Sequence, residues 1–221
     1  MDLKEIILNS LNYPVYNQEH VKKWLIFGVI TLASYLVIPV IFAAGYQLRT
    51  IKNTIEGDSK MPEFNQWGQM FSDGFDVIAV QLVYYLLPLI FTTAGMAYLH
   101  MGKSFGGILI LISVILFIPA SMLLYIAISN FVYHGNFGAA FDLKQMFKRI
   151  KSIGKGKFIL WWLITTLIVI IGFVLGALVN MVSKMIGFFL VPLIFNSFLS
   201  LFGARSGGLV YRESLGSTQI F

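Results

Sequence analysis

The sequence predicts an all-α fold: a polytopic transmembrane helical bundle of about five spans, with two amphipathic interfacial helices. Three observations carry that prediction. Of 221 residues, 57% are hydrophobic and only 12% are charged, where a soluble domain carries about 25% charged residues. The mean hydropathy is +0.80. The apolar residues fall in runs of about 20 or more without Asp, Glu, Lys or Arg, long enough to cross a hydrocarbon core of about 30 Å. Two long polar interruptions, Gly45 to Asp76 and Gly135 to Lys157, supply most of the charge.

Residues 1–23 are polar, with Leu3, Ile6, Ile7 and Leu11 spaced for a short amphipathic helix. Tyr13-Pro14 ends it, because the residue before proline is pushed out of the α region. No cleavable leader is expected: the apolar run that starts at Trp24 is longer than a signal core of about 7–15 residues. The spans are predicted at 24–46, 77–99, 105–132, 158–182 and 185–204. Runs of this length satisfy their backbone groups in lipid as helices and are too long for barrel strands. His100 to Ser104 alone joins the second span to the third, and Ser183-Lys184 the fourth to the fifth, so both pairs are antiparallel hairpins. Residues 205–221 read as a glycine-rich tail. Pro39, Pro88, Pro119 and Pro192 lie inside four of the spans, where they set static kinks or serve as hinges.

With five spans, the two long connections and the tail share a face and carry eleven of the sixteen Lys and Arg residues. The positive-inside rule makes that face cytoplasmic, in a cell membrane, and puts the N-terminus outside, although Lys22-Lys23 pull the other way. Short matches between spans one and three (Ile38-Pro39 with Ile118-Pro119) hint at a duplication, but the Pro-Leu-Ile-Phe pair at Pro88 and Pro192 implies another register. No repeat is assigned.

The polar interruptions divide by character. In the first, covering an amphipathic segment at about 60–76, Phe64, Trp67, Phe71 and Phe75 form one helical stripe; this predicts a helix lying in the interface or a lid over a cavity. In the second, at about 137–154, Lys144, Lys148, Lys151 and Lys155 form a basic stripe opposite Met146, Ile150 and Ile153. That stripe is a candidate contact for anionic lipid headgroups, and otherwise a topology determinant. Gly172 and Gly176 form a G-x-x-x-G, read as internal helix packing ahead of a dimer contact. Trp24 and Trp161-Trp162 stand at span starts as interface anchors.

Several chemistries are excluded or disfavoured. There is no cysteine, hence no disulfide, thiolate metal site or cysteine nucleophile. The net charge of +6 points to lipid and orientation, since no soluble basic face exists for nucleic acid. Gly154 to Lys157 lacks the spacing of a phosphate loop and reads as a glycine cap. His20, His100 and His134 are isolated, so no metal is expected, and no cofactor is implied. No nucleophile motif or carboxylate pair appears, which predicts a non-enzymatic protein. The spans hold Gln81, Asn130, Asn180 and Asn196 but no ionisable group, which counts against ion-coupled transport.

The chain resembles a prokaryotic family of multi-pass membrane proteins, domain of unknown function 4013, common in methanogens. The resemblance rests on Tyr13-Pro14, Gly45-Tyr46 with Arg49, Gly57, Pro62-Glu63, Trp67, Phe71 to Gly74, Tyr84 to Pro88, Gly138 to Asp142, Ile150, Ile153-Gly154 and Gly156-Lys157. It implies the architecture and a cytoplasmic-membrane location, and carries no activity. The expected role is a lipid-contacting structural or accessory protein, as a homo-oligomer or as a subunit of a membrane complex. The alternative is a transporter or channel for an uncharged or amphipathic solute. A polar cavity near Gln81, Asn130 or Asn196 would favour that alternative; a solid core would count against it.

Overall fold

The computed structural model describes residues 1–216, and every regular element among them is helical. Helix α1 (Leu3–Asn12) starts with a capping box: the Asp2 carboxylate accepts from the Leu3 N–H at 2.7 Å and Glu5 accepts from the Asp2 N–H at 2.9 Å. It buries Ile6 and Ile7. One 3-10 turn at Tyr13–Val15 follows, and Asn17 caps α2 by accepting from the His20 N–H at 2.9 Å.

The first predicted span is divided. Residues 24–46 are shared between α2 (Gln18–Ala33) and α3 (Val37–Glu56), with a reversal at 34–36. Phe27 stacks on Tyr46 with ring centroids 5.1 Å apart, so the two helices run back along each other as a hairpin. The break has a local cause. A helix continuing through it would need an N–H from Pro39 to reach Tyr35, and proline has none. Pro39 instead sits in the first turn of α3, where the missing donor costs nothing. Upstream, the Ser34 hydroxyl donates to the Ile30 carbonyl at 2.9 Å, drawing off a backbone acceptor at the end of α2. The tip is apolar and open, with Leu36 69% and Val37 80% exposed.

Four further helical stretches are long and apolar enough to cross a membrane: α4 (Trp67–His100), α5 (Phe105–His134), α7 (Lys155–Val182) and the stretch Lys184–Ser214. The protein is therefore a bundle of four membrane-capable helices plus a folded-back hairpin. The last stretch comprises α8 (Lys184–Leu190), a π-helical segment at Val191–Asn196 and α9 (Ser197–Ser214). Pro192 lies in the π segment, which absorbs the missing hydrogen bond by widening the turn.

The residues read as a glycine-rich tail are not a tail up to Ser214. They continue α9 into the centre of the polar end, where Arg205 to Tyr211 are all buried. Gly207 and Gly208 face Tyr125 and Thr54 closely, so the glycines form a small-residue packing face rather than a loop. Helix α3 meets α4 in the same manner: a Cβ on Gly74 would overlap the Ile41 carbonyl, and one on Gly45 the Met70 carbonyl.

Between α5 and α7, a 3-10 turn (Phe137–Phe141) leads into α6 (Leu143–Ile153), capped by Asp142. Gly154 at φ +95° ends α6, and α7 begins at the next residue. The segment 60–76 is not a separate interfacial helix. Residues 60–66 are irregular, and Trp67 starts α4, which runs on without a turn.

Because the hairpin returns the chain, residues 1–23 lie at the same end as both long connections. Lys157 donates to the Met1 carbonyl at 2.7 Å, and Lys23 bridges to Glu63 at 2.7 Å. This differs from the opposite-side placement that five spans predict. Fourteen of the sixteen Lys and Arg residues, and all ten Asp and Glu, belong to this polar end; Lys103 and Lys184 belong to the other.

Candidate functional site

A partly open cavity of about 360 Å³ lies between α3, α4, α5, α7 and the last helical stretch, with the 58% exposed Phe173 in its lining. Its polar lining comes from Gln47, Gln81, Tyr85, Tyr125, Ser129, Asn196 and Ser200, and no Asp, Glu, Lys, Arg or His lines it. Ile51, Leu124, Ile128, Val169 and Phe173 supply apolar wall. Its depth can be read along the last stretch: Gly207 and Asn196 lie about 10 Å and about 27 Å from Ser214 at 1.5 Å per residue. The cavity therefore runs from about 10 Å below Ser214 to mid-bundle.

Two polar atoms there have no partner. Ser129 is fully buried, and its hydroxyl makes no hydrogen bond; the Asn196 side-chain carbonyl is equally unmatched. A buried polar group left unpaired costs about 1–3 kcal/mol, and both residues border this space with those atoms buried. Asn196 closes the π segment, a feature frequent at functional positions. The hairpin braces that segment: Thr31 donates to the Pro192 carbonyl at 2.9 Å, and Trp24 Nε1 donates to Ser197 at 2.9 Å. Tyr35 stacks on Phe188 at 4.6 Å.

Towards the polar end the cavity gives way to a sealed layer. Asn130 Nδ2 donates to the Ala139 carbonyl at 2.7 Å and to Gln145 at 3.1 Å, while its Oδ1 accepts from the Tyr211 hydroxyl at 2.7 Å. Trp161 Nε1 donates to Ser206 at 2.7 Å, and the Arg149 guanidinium lies 5.4 Å from the centroids of both Tyr133 and Tyr211. Asn130, one of the four polar span residues in the sequence, thus belongs to the seal. Gln81 and Asn196 belong to the cavity, and Asn180 donates to the Gly176 carbonyl at 3.2 Å.

A second polar cluster pins the N-terminal segment. Arg205, 5% exposed, donates to Asn9 at 3.0 Å, Thr54 at 3.2 Å and the Asp58 carbonyl at 2.8 Å, and covers the Tyr13 ring. Lys23 donates to Glu19 at 2.8 Å and to the Met61 carbonyl at 3.0 Å. The hydrogen bond from Lys23 holds the Glu19 carboxyl below the ordinary carboxylate range.

The stripes fall as follows. Phe64 stacks on Tyr46 at 4.3 Å; Trp67 and Phe71 pack against Phe42; Phe75 is 60% exposed. These aromatics cover the α3–α4 junction and do not line the cavity. Lys144, Lys148 and Lys151 are exposed on α6 beside Leu143 and Phe147, with Met146 and Ile153 turned inward. Lys155 stands beyond Gly154 as the first residue of α7, so the four lysines do not share one helix. Gly172 and Gly176 pack against Leu199 and Val191 of the last stretch. The sequence did not single out Gln47 or Ser129. Gln47 lay inside the first polar interruption and Ser129 in an otherwise apolar run, and only the tertiary fold brings them together.

A sequence model of the family described as "Protein of unknown function (DUF4013)" matches residues 29–181. The chain is also similar to "Uncharacterized protein MJ0233" of Methanocaldococcus jannaschii, with 26% identity over 222 residues, covering 96% of this chain and 72% of that protein. No solved structure matches.

Proposed function

The chain belongs to the DUF4013 family, and from that premise we propose that it is a non-enzymatic membrane protein that binds an uncharged, amphipathic molecule in the cavity between α3, α4, α5, α7 and the last stretch. The observation that carries this reading is a space of this volume bordered by seven polar side chains, Ser129 and Asn196 among them, and by no charged one. Its size falls in the range of small-molecule sites, about 300–1,000 Å³. The lining offers hydrogen bonds and apolar contact but no acid–base pair, which suits holding or passing a guest rather than transforming it. An ion would lose its hydration there without a compensating charge. Of the two roles expected from the sequence, the solute-handling one is favoured, because the cavity reaches Gln81 and Asn196.

The test is native mass spectrometry of protein purified from its membrane in mild detergent. Wild type should retain a neutral molecule with a small polar head and an apolar body. A Ser129→Ala, Asn196→Leu double variant of unchanged Tm should lose it. An empty wild type, or equal retention by the double variant, sinks the reading.

A second reading concerns the surface. Helix α6 exposes Lys144, Lys148 and Lys151 around Leu143 and Phe147, which are 49% and 58% exposed. Each such cation near an anionic leaflet is worth about 1 kcal/mol, so this face suits anionic headgroups. Fourteen of sixteen basic residues at the polar end support, by the positive-inside rule, a cytoplasmic position for that end in a cell-membrane protein.

A further inference from the structure

A second cavity, of about 590 Å³, opens at the polar end between α3, α4, α5 and residues 62–66. It differs from the inner one in lining. Arg49, Lys52 and Glu56 of α3 border it together with Glu63 and with Asp73 and Asp76 of α4. Arg49 is fixed there by donating to the Asn65 and Gln66 carbonyls at 2.7 and 3.1 Å, with the Asp73 carboxylate 3.9 Å away. Its floor is apolar: Leu48, Phe131 and Val132.

The two cavities adjoin along the same three helices. On α5, Phe131 and Val132 line the outer one while Ile128 and Ser129 line the inner one. On α3, Leu48 and Lys52 face outward while Gln47 and Ile51 face inward. On α4, Asp76 is outer and Gln81 inner. On α4 and α5 the outer lining residues are the ones nearer the polar end, whereas on α3 the two sets interleave over the same turns, so the two chambers adjoin across that helix. What lies between is one packed group of buried aliphatic side chains: Leu48, Ile51, Val77, Val80 and Ile128, each no more than 8% exposed.

We infer that the charged outer chamber and the uncharged inner cavity are two stations of one route for a polar but uncharged solute, closed in this structure by the aliphatic partition of Leu48, Ile51, Val77, Val80 and Ile128. This inference rests on the inner cavity being a binding site. The chemistry of the stations assigns the solute. The outer chamber is wet and pairs hydrogen-bonding groups of either sign, while the inner cavity penalises charge. An aliphatic constriction between them blocks water and ions by dewetting and opens by a small separation of α3 from α5. The solute class is therefore a small neutral molecule carrying hydroxyl or amide groups, arriving from the aqueous side.

The absence of native cysteine makes single-cysteine reporters free of background. In proteoliposomes, Gln69→Cys should react fast with a charged, membrane-impermeant thiol reagent applied at the polar end. Ser129→Cys should react at least about a hundredfold more slowly through the closed constriction. Adding Leu48→Ser and Ile128→Ser should speed the Ser129→Cys reaction at least about tenfold. The milder Leu48→Ala should give a smaller gain in the same direction, read only from protein eluting as a monodisperse peak. The inference is overturned if Ser129→Cys reacts as fast as Gln69→Cys with the partition intact. It is equally overturned if the reaction stays slow in both opened variants, or if only a lipid-soluble maleimide reaches Ser129→Cys at a rate the partition does not affect. The last result would leave ligand binding standing with access from the lipid; an empty cavity with partition-dependent labelling would do the reverse.

Discussion

Ser129 and Asn130 are neighbours on α5, both fully buried, and their surroundings could hardly differ more. Asn130 makes three hydrogen bonds, to Ala139, Gln145 and Tyr211, and locks the polar end. Ser129, one position earlier and turned to the cavity, makes none. The same chemistry inside the same helix thus serves two ends. A paired buried polar group fixes one packing arrangement, whereas an unpaired one is a standing cost. The layer around Asn130 is architecture; the space beside Ser129 is the site we propose.

That contrast yields three measurements, ordered by expected effect. Asn130→Leu removes three hydrogen bonds and leaves the Gln145 side-chain carbonyl without its Asn130 donor, and should cost about 2–4 kcal/mol of stability. A thermal-shift series in one detergent would show it, and a loss under about 0.5 kcal/mol would break the contrast. Ser129→Ala removes a group that has nothing to lose, and should change stability by less than about 0.5 kcal/mol. If its Tm falls as far as that of Asn130→Leu, Ser129 is structural and the division between seal and site fails. The smallest effect should come from Glu19, whose ion pair with Lys23 is exposed on the carboxylate side. Its folded pKa lies below the ordinary value, so its contribution is present above that ordinary value and is lost as pH falls through the folded one. Glu19→Gln should flatten that acid limb of a Tm–pH profile slightly and leave Tm at pH 7 nearly unchanged.

The sequence made four apolar runs legible, at 77–99, 105–132, 158–182 and 185–204, because charge-free length is a direct measure of what lipid tolerates. The run at 24–46 misled, since length alone does not separate one crossing helix from two that fold back. The useful signal was Pro39 two residues into α3 with Ser34 and Thr31 just upstream, a stop and a start close together. The stretch 205–214 misled for another reason: glycine marks loops in water but close helix contacts inside a bundle. Of the site, Gln81 and Asn196 could be picked out as polar residues in apolar runs. Which of them would be paired could not be, because pairing depends on partners such as Tyr211, 81 residues away from Asn130. The basic face of α6 was readable from spacing, though Gly154 takes Lys155 out of it.

The fold-back of α2 on α3 also bears on how the chain is made. With the polar end cytoplasmic, as proposed, the hairpin returns both of its ends to that side and nothing hydrophilic from residues 1–66 has to be translocated. The remaining insertion proceeds as two helical pairs, α4 with α5 and α7 with the last stretch. The first carries only the Met101–Ser104 turn with Lys103 across, the second only Ser183 and Lys184. Each pair drags one ammonium through the bilayer and no carboxylate, so biogenesis confronts two charges where a five-span chain of this composition would confront several more.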